Sequence, residues 1–417
     1  MPKFSIDLQG RLRALQFLGI TFIIATMEGG YYFLLPYLQG RGVQIGSMGG
    51  LMMGICYAGS ILGKPIVPMI ENIFGLKKLI YTGLIFFLTS SLGIAFAISS
   101  PALILFWRVL TGFGLSLVGI SLMTYQTQII SEHVRGRDFA FIATAYNLPP
   151  LTLMPLLEYC LNRGHYMTYA LIFPVIVLTG IYITYKLPDI SESRKEAAAL
   201  EKSAENEALP PSYKQIFTSP VLILFMLSVA AFALSDAGQL TFVLLAKEKG
   251  VAASWFFASA SAIALLLRTV GGSILDKVPR KIFACVTACI TTAGILLATV
   301  SSTPFHFTLI GLFYGVGMGL GFPAFMCLIG DLGKNGLQSR LMVLFGFIYS
   351  ACYFIGPTVT EYVINITGAV TAYRITFTVL LLFALAVTYF NLRLHKVPIG
   401  NLTKYKIFSI SERGKRK

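Results

Sequence analysis

Twelve long apolar runs cover almost the whole 417-residue chain and constrain its fold more than any other feature of the sequence. A helix needs about 20 apolar residues to cross a bilayer, and each run reaches that length. Because lipid offers the backbone no hydrogen-bonding partner, each run is predicted to form a membrane-spanning helix. The runs lie at about 13–38, 44–69, 77–98, 101–126, 138–160, 165–186, 217–246, 252–275, 280–301, 304–332, 339–365 and 369–393.

The proportion of charged residues supports the same fold class. Only 12% of the residues are charged and 56% are hydrophobic, whereas an ordinary soluble domain has about 25% charged residues. So few charges cannot cover the surface of a soluble globule of this size, which excludes a soluble enzyme, a disordered chain and a disulfide scaffold. The sequence therefore predicts an all-α, multi-pass membrane protein.

The formal net charge of +15 comes from Lys and Arg that concentrate in alternate loops and in the tail 394–417. Such an asymmetry is typical of cytoplasmic loops, so both termini are predicted to lie in the cytoplasm. The basic tail is expected to contact anionic lipid, and no nucleic-acid partner is expected. These features place the chain in a cytoplasmic (inner) membrane.

A polar segment at 187–216 separates two halves of six runs each, 1–186 and 217–393. The loop after the second run reads GKPIVPMIENIFGLKK and the loop after the eighth reads GGSILDKVPRK, so both carry an acid followed by two basic residues. The fifth and eleventh runs both end in an acid–Tyr pair that contains Glu158 and Glu361, respectively. We therefore expect two pseudo-symmetric six-helix bundles, an arrangement in which transporters place a substrate site between the halves.

These motifs resemble the major facilitator superfamily. The loop GGSILDKVPRK looks like the loop motif of the family, and WRVLTGFG matches its Arg-xxx-Gly-x-Gly signature through Arg108, Gly112 and Gly114. AKEKGVAASWFFASASAIALLLRTVGG resembles the efflux-permease branch, that of drug or metabolite:proton antiporters. The resemblance implies a twelve-helix transporter that works by alternating access, with the first and fourth helices beside a central cavity. In the fifth run NLPPLTLMP lacks the glycines of the exporter motif, so the direction of transport stays open.

Three charged residues within the apolar runs are candidates for proton coupling: Glu28, Arg108 and Asp236. A charge at the bilayer centre costs about 2.5–3.5 kcal/mol on insertion scales, so each needs a partner or a wet cavity. Glu28 and Arg108 lie at similar depths, which makes an interaction between them feasible. The alternative is a permanent ion pair that braces the helices.

Polar and aromatic residues on the helices expected to face the cavity form the candidate substrate lining. They are Tyr31, Tyr32, Gln126, Tyr146, Asn147, Gln239, Phe242, Tyr314, Tyr349 and Tyr353. Such a lining suits an amphipathic organic solute better than a bare ion. For each aromatic side chain, ordinary helix packing is the alternative.

The repeated loops supply candidate gating residues, because an acid at one helix end can latch onto basic residues of the next loop. The candidates are Glu71, Lys77, Lys78, Arg268, Asp276, Arg280 and Lys281. A role in membrane topology alone is the alternative.

The sequence thus predicts a secondary active transporter of a small organic solute, with proton-coupled export preferred. A proton-coupled uptake symporter for a metabolite is the first alternative, and a non-transporting membrane receptor or enzyme is the second. The four histidines are scattered and all six cysteines lie in apolar runs, so no metal, no cofactor and no catalytic residue are expected. The partners expected are the solute, the proton and the lipid bilayer, and the protein is expected to be a monomer.

Overall fold

The computed structural model describes residues 8–98, 100–130, 135–188, 219–270, 279–332 and 337–395. Within these ranges the regular secondary structure is helical throughout, without a strand. The α-helices of the first half are α1 (Leu8–Gly29), α2 (Leu34–Gly40), α3 (Gly49–Gly63), α4 (Ile66–Phe74), α5 (Leu76–Phe96), α6 (Pro101–Ile129), α7 (Arg135–Ala143), α8 (Leu148–Asn162) and α9 (Tyr166–Tyr185). Those of the second half are α10 (Pro220–Ala237), α11 (Phe242–Glu248), α12 (Ser254–Val270), α13 (Arg280–Ala298), α14 (Pro304–Leu332), α15 (Leu337–Thr367) and α16 (Ala369–His395).

Nine helical stretches in the described part of the chain are long and apolar enough to cross a membrane, and α12 contains a tenth, shorter apolar stretch. The predicted all-α membrane fold is confirmed. The count of twelve and the side of the termini stay predictions. Four of the predicted runs are divided into shorter helices in the described part of the chain, and prolines lie at two of these breaks. The run 44–69 breaks at Pro65, between α3 and α4, and the run 138–160 contains a 3₁₀ turn followed by Pro149 and Pro150. Proline lacks the N–H that a continuous helix needs, so such breaks are expected there.

Two further 3₁₀ turns reveal the internal repeat. Gly30–Phe33 joins α1 to α2, and Gly238–Leu240 joins α10 to α11. At each turn the glycine carbonyl accepts a hydrogen bond from a tyrosine of the last long helix of its half: Tyr169 donates to Gly30 at 3.0 Å, and Tyr373 donates to Gly238 at 2.8 Å. In lipid a carbonyl released from the helical ladder needs such a partner. The same device in both halves supports the predicted pseudo-symmetry.

Small residues allow the helices within each half to approach closely. The helix α6 packs on α3 and α5, and α14 packs on α12 and α13. A methyl group on Gly112 of α6 would lie 1.8 Å from the carbonyl oxygen of Cys56, and one on Gly315 of α14 would lie 2.3 Å from that of Ala260. Backbone contact of this kind is how glycines pack helices in membranes.

Gly112→Ala is expected to lower the melting temperature of the purified protein, because the added methyl group collides with the α3 backbone rather than with a movable side chain. Overpacking of this kind costs about 1–3 kcal/mol. Gly119→Ala on the same helix is the control, since no atom lies within 4 Å of its added methyl group. Equal melting temperatures for the two variants would contradict the close α3–α6 contact.

The two halves meet along two seams. In one seam α3 of the first half packs against α15 of the second, and in the other α8 of the first half packs against α12 of the second. The repeat relates these seams, since each pairs the second membrane-crossing segment of one half with the fifth of the other. Residues that lie between the two seams can therefore contact both halves.

Candidate transport site

The carboxylate of Asp236, near the end of α10, is surrounded by four hydrogen-bond donors of its own half. Its Oδ1 accepts from the Tyr314 hydroxyl at 2.6 Å and from Gln239 Nε2 at 3.2 Å. Its Oδ2 accepts from the Tyr353 hydroxyl at 2.6 Å and from the Tyr349 hydroxyl. The donors come from α14, α15 and the 3₁₀ turn after α10. Asp236 is only 3% exposed, and hydrogen bonds to an ionised carboxylate are the strong kind.

The other predicted coupling acid, Glu28, lies across the interface in α1 and is half-buried. The phenol of Tyr57 lies beside its carboxyl group. The Tyr57 ring contacts the Tyr353 ring edge to face, with the centroids 4.8 Å apart. Tyr353 in turn donates to Asp236. A row of two phenols therefore connects the two acids and crosses from one half to the other.

The two acids occupy equivalent positions in the repeat. Glu28 lies two residues before Gly30, and Asp236 lies two residues before Gly238. These are the glycines at which the first helix of each half changes to a 3₁₀ turn. Each acid is thus placed next to a turn held by the hydrogen bond from Tyr169 or Tyr373.

Lys64, at the end of α3, is an electrostatic neighbour of Glu28. Its Nζ donates to the carbonyl oxygen of Gly346 at 2.7 Å and to Ser350 Oγ at 2.6 Å, both in α15 of the other half. Sequence reasoning did not assign Lys64 or Tyr57 to the site. The signal for Lys64 was present, because a lone lysine inside an apolar run marks a functional position.

Arg108 is buried, but the structure does not join it to Glu28 in an ion pair. Its Nε and Nη2 donate to the carbonyl oxygens of Met52 and Met53 at 3.1 and 3.0 Å, and Nη2 also contacts Cys56 Sγ at 3.0 Å. Its guanidinium lies 4.9 Å from the centre of the Tyr31 ring. Within the described residues Arg108 therefore ties α6 to α3 by backbone contacts. Its predicted part in coupling stays a prediction.

The sequence analysis assigned Arg268 to a gate, but in the structure Arg268 lies close to the central site. Its Nη1 and Nε are 3.5 Å from the carbonyl oxygens of Ala143 in the first half and Gly319 in the second. The phenols of Tyr146 and Tyr349 are among its electrostatic neighbours. Tyr146 is 42% exposed, so much of its ring is not covered by other residues of the described chain.

Comparison with known proteins identifies the family. The sequence matches the family model of the Major Facilitator Superfamily over residues 17–357 and 240–406. The chain belongs to this superfamily. It is therefore a membrane transporter and not an enzyme.

Solved structures share the superfamily fold with this chain. A POT family transporter in complex with 5-aminolevulinic acid superposes with a TM-score of 0.72 at 12% identity, over 93% of this chain and 97% of that one. A D-xylose-proton symporter superposes with a TM-score of 0.70 at 14% identity, over 92% of this chain and 96% of that one. Comparison with curated protein sequences finds no match. The efflux-permease branch of the superfamily is not distinguished by these matches.

Four members of the predicted lining, Gln239, Tyr314, Tyr349 and Tyr353, meet at Asp236 as described above. Tyr32 contacts the other half through Phe257, with ring centroids 5.6 Å apart. Tyr146 lies beside Arg268, as described above. Two other aromatic residues of the predicted lining pack away from the central site. Tyr31 stacks on Phe173 at 4.4 Å and Phe242 stacks on Phe256 at 4.1 Å, so both pack within their own half.

Two amides of the predicted lining are buried. Gln126 is 5% exposed on α6, and Asn147 is fully buried in the 3₁₀ turn before α8. Neither amide atom of Asn147 has a hydrogen-bond partner in the described part of the chain. The turn that contains Asn147 packs against α1, and the Asn147 amide makes no hydrogen bond to the site among the described residues.

The predicted latch of the first loop is not formed as a Glu71–Lys77 pair. Lys77 Nζ instead donates to the carbonyl oxygens of Tyr185 and Leu187, at 3.3 and 2.5 Å, at the end of α9. A lysine at a helix C-terminus is favourably placed relative to the helix dipole. The neighbouring Lys78 is exposed.

The predicted latch of the second loop lies largely outside the described residues, because Asp276 does. Of its two basic residues, Arg280 forms an ion pair with Asp331 at 2.8 Å, within the second half. Lys281 is half-buried one residue further along α13. A gating role for these residues stays a prediction.

The end of the bundle opposite the start of α1 and the end of α16, which we call the distal end, is closed by contacts between the halves. Glu158 in α8 accepts hydrogen bonds from the backbone N–H groups of Ala253 and Ser254 at the start of α12, both at 2.8 Å. Lys247 donates to Gln39 Oε1 at 2.9 Å, also between the halves. These contacts separate the central site from the distal side.

The repeat places a second acid at the other seam. Glu361 in α15 is 5% exposed, and its Oε1 would lie 2.7 Å from a methyl group on Gly49, the first residue of α3. Glu158 and Glu361 thus occupy related positions, each at the start of a helix of the other half. They are the acids of the two acid–Tyr pairs that repeat in the sequence.

Proposed function

We propose that this superfamily member is a proton-coupled secondary transporter of a small organic solute in a cytoplasmic membrane, with Glu28 and Asp236 as its coupling acids and export as its direction. The observation that carries the proposal is the row Glu28–Tyr57–Tyr353–Asp236, which joins the two acids between the halves. A proton on either acid changes the charge at the surface along which the halves must move.

The position of Lys64 suggests how protonation is coupled to movement. Lys64 belongs to the first half, binds α15 of the second, and lies in the field of Glu28. Neutralising Glu28 removes the negative charge that favours Lys64 at this position. A ligand can shift two conformations only through its different affinity for them, and a proton on Glu28 supplies such a difference.

Uptake is the second candidate direction. The segment NLPPLTLMP lacks the glycines of the exporter motif, and in the structure it forms the end of the 3₁₀ turn and the start of α8. One of the neighbours of the same fold is a D-xylose-proton symporter. In this case the same two acids would couple proton entry to solute entry.

Glu28→Gln is expected to abolish proton-driven accumulation but to preserve solute exchange, because it removes the titrating group and keeps the shape of the side chain. A thermal-shift screen of the purified protein first identifies a stabilising organic solute. Proteoliposomes then report counterflow of that solute and its accumulation under a pH gradient. The sign of the gradient that drives accumulation distinguishes export from uptake.

Glu248→Gln provides the control, since Glu248 caps α16 within its own half and makes no hydrogen bond to Glu28 or Asp236 in the described part of the chain. This variant should accumulate the solute as the wild type does. The proposal is wrong if Glu28→Gln and Asp236→Asn both accumulate the solute under a pH gradient at the wild-type rate.

A further inference from the structure

The charges at the centre of the molecule are not balanced. Among the described residues, three basic side chains, Lys64, Arg108 and Arg268, lie near two acids, Glu28 and Asp236. Even with both acids ionised, one positive charge remains. An unbalanced charge inside a membrane protein is costly, so a bound anion would stabilise this arrangement.

The contacts show which cation can receive an anion. Arg108 is 1% exposed and held by the backbone of α3, so a solute cannot reach it in this conformation. Lys64 is held by Gly346 and Ser350 and has Glu28 as its charged neighbour. The remaining cation is Arg268.

Asp236 is an electrostatic neighbour of Arg268 but does not form an ion pair with it. The four donors around Asp236 already occupy its two oxygens, and a carboxylate offers about four lone-pair positions. In the part of the chain that the structure describes, Arg268 donates only two hydrogen bonds, to carbonyl oxygens at 3.5 Å. These are long for hydrogen bonds, and a guanidinium carries five N–H groups.

Arg268 also lies between the two halves of the molecule. It is half-buried, and its two carbonyl contacts belong to different halves, Ala143 in α7 and Gly319 in α14. The exposed ring of Tyr146 and the ring of Tyr349 are close by. A charged group bound here would contact both halves, with aromatic surface beside it for the apolar part of the solute.

We propose that Arg268 is the anchoring residue for the carboxylate of an organic-acid substrate, whose apolar part packs beside Tyr146. The inference rests on the proposed transport function and adds the substrate class. The planar guanidinium matches a carboxylate through two parallel N–H···O bonds, which an ammonium group cannot provide. A bound carboxylate would also supply the negative charge that the central site lacks.

Three probes of equal length test the charge preference: 3-phenylpropionate, 3-phenylpropanamide and 3-phenylpropylamine. We expect the anionic probe to raise the melting temperature of the full-length protein in detergent, and the neutral and cationic probes to have little effect. Arg268→Gln should weaken binding of 3-phenylpropionate about 10- to 100-fold, the usual effect of removing charged hydrogen bonds. Arg268→Lys should recover part of the affinity, because it keeps the charge without the planar fork.

Arg374→Gln is the matched control, since Arg374 is an exposed arginine of the same half that contacts Thr299 near the distal end. It should respond to the three probes as the wild type does. Equal shifts with all three probes, no shift with any of them, or an unchanged preference in Arg268→Gln would overturn the inference. These are equilibrium binding measurements, so their failure would leave the proton-coupling experiment with Glu28→Gln unaffected.

Discussion

Asp236→Asn is expected to abolish proton-driven transport and to lower the stability of the second half. An asparagine has one acceptor oxygen and one NH₂ donor in place of the two carboxylate oxygens. Tyr349 and Tyr353, which donate to Oδ2, would then face a donor, or Tyr314 and Gln239 would do so if the amide were reversed. In either orientation two donors lose their carboxylate acceptor, and the other two donate to an uncharged oxygen.

The expected cost follows from the strength of these bonds. Each hydrogen bond to a charged group contributes about 1.5–3 kcal/mol, so losing two of them should cost about 3 kcal/mol or more. The bonds join α10 to α14 and α15, so the loss should appear as a lower melting temperature. Tyr314→Phe removes a single donor and should have a smaller effect on the melting temperature than Asp236→Asn.

Transport measurements separate the coupling role of Asp236 from its structural role. Tyr314→Phe preserves the carboxylate, so it should retain accumulation under a pH gradient despite its lower stability. Asp236→Asn should lose accumulation even at a temperature where it is fully folded. If Asp236→Asn retains accumulation, or if its melting temperature equals that of the wild type, the four-donor cluster does not have the role assigned to it.

The sequence contained the local relationships around this site. Gln239 lies three residues after Asp236, and such spacing predicts side chains on one helix face, as the structure shows. The repeated loops and acid–Tyr pairs predicted two related halves, and the hydrogen bonds of Tyr169 and Tyr373 to equivalent glycines support this. A shared Tyr-x-x-x-Phe pattern, 169–173 and 373–377, could have indicated these tyrosines earlier.

The contacts between the halves could not be predicted in the same way. Lys64 and Ser350 are 286 positions apart in sequence, and helical periodicity does not specify which helices of the two halves pack together. The similar depths of Glu28 and Arg108 in the membrane suggested that the two side chains would meet. Depth does not determine, however, towards which neighbouring helix a side chain points. The rotation of α6 directs Arg108 towards the α3 backbone instead.

The same limit applies to the acid–Tyr pairs. Their repetition was visible in the sequence, but the role of Glu158 depends on the start of α12, which is 95 residues away. A carboxylate that accepts two backbone N–H bonds at a helix N-terminus also benefits from the helix dipole. Because this helix belongs to the other half, the bonds hold the distal end closed as well as capping the helix.

Glu158→Gln is expected to shift the protein towards a state open at the distal end. Alternating access requires the site to open on each side in turn, so the bonds of Glu158 to Ala253 and Ser254 must break when the distal end opens. Glutamine offers a single acceptor oxygen and no charge. Losing one charge-assisted bond should increase the open population about ten-fold or more.

A buried position beneath the distal contacts provides the readout. Phe257 is 3% exposed and packs against Tyr32 of the other half. A cysteine placed at position 257, in a protein whose six native cysteines are replaced, should react with a membrane-impermeant maleimide only when the distal end opens. We expect Glu158→Gln to increase the labelling rate about ten-fold, in line with the change in population.

Glu248→Gln is the matched control for this prediction, because it weakens the same kind of helix cap without removing a hydrogen bond between the halves. Glu248 also accepts two backbone N–H bonds at a helix start, from Ala369 at 2.5 Å and Val370 at 3.3 Å, but α11 and α16 belong to the same half. Its loss should lower the melting temperature without changing the labelling rate at position 257. Equal labelling of the two variants would show that Glu158 only caps a helix, and that other contacts keep the distal end closed.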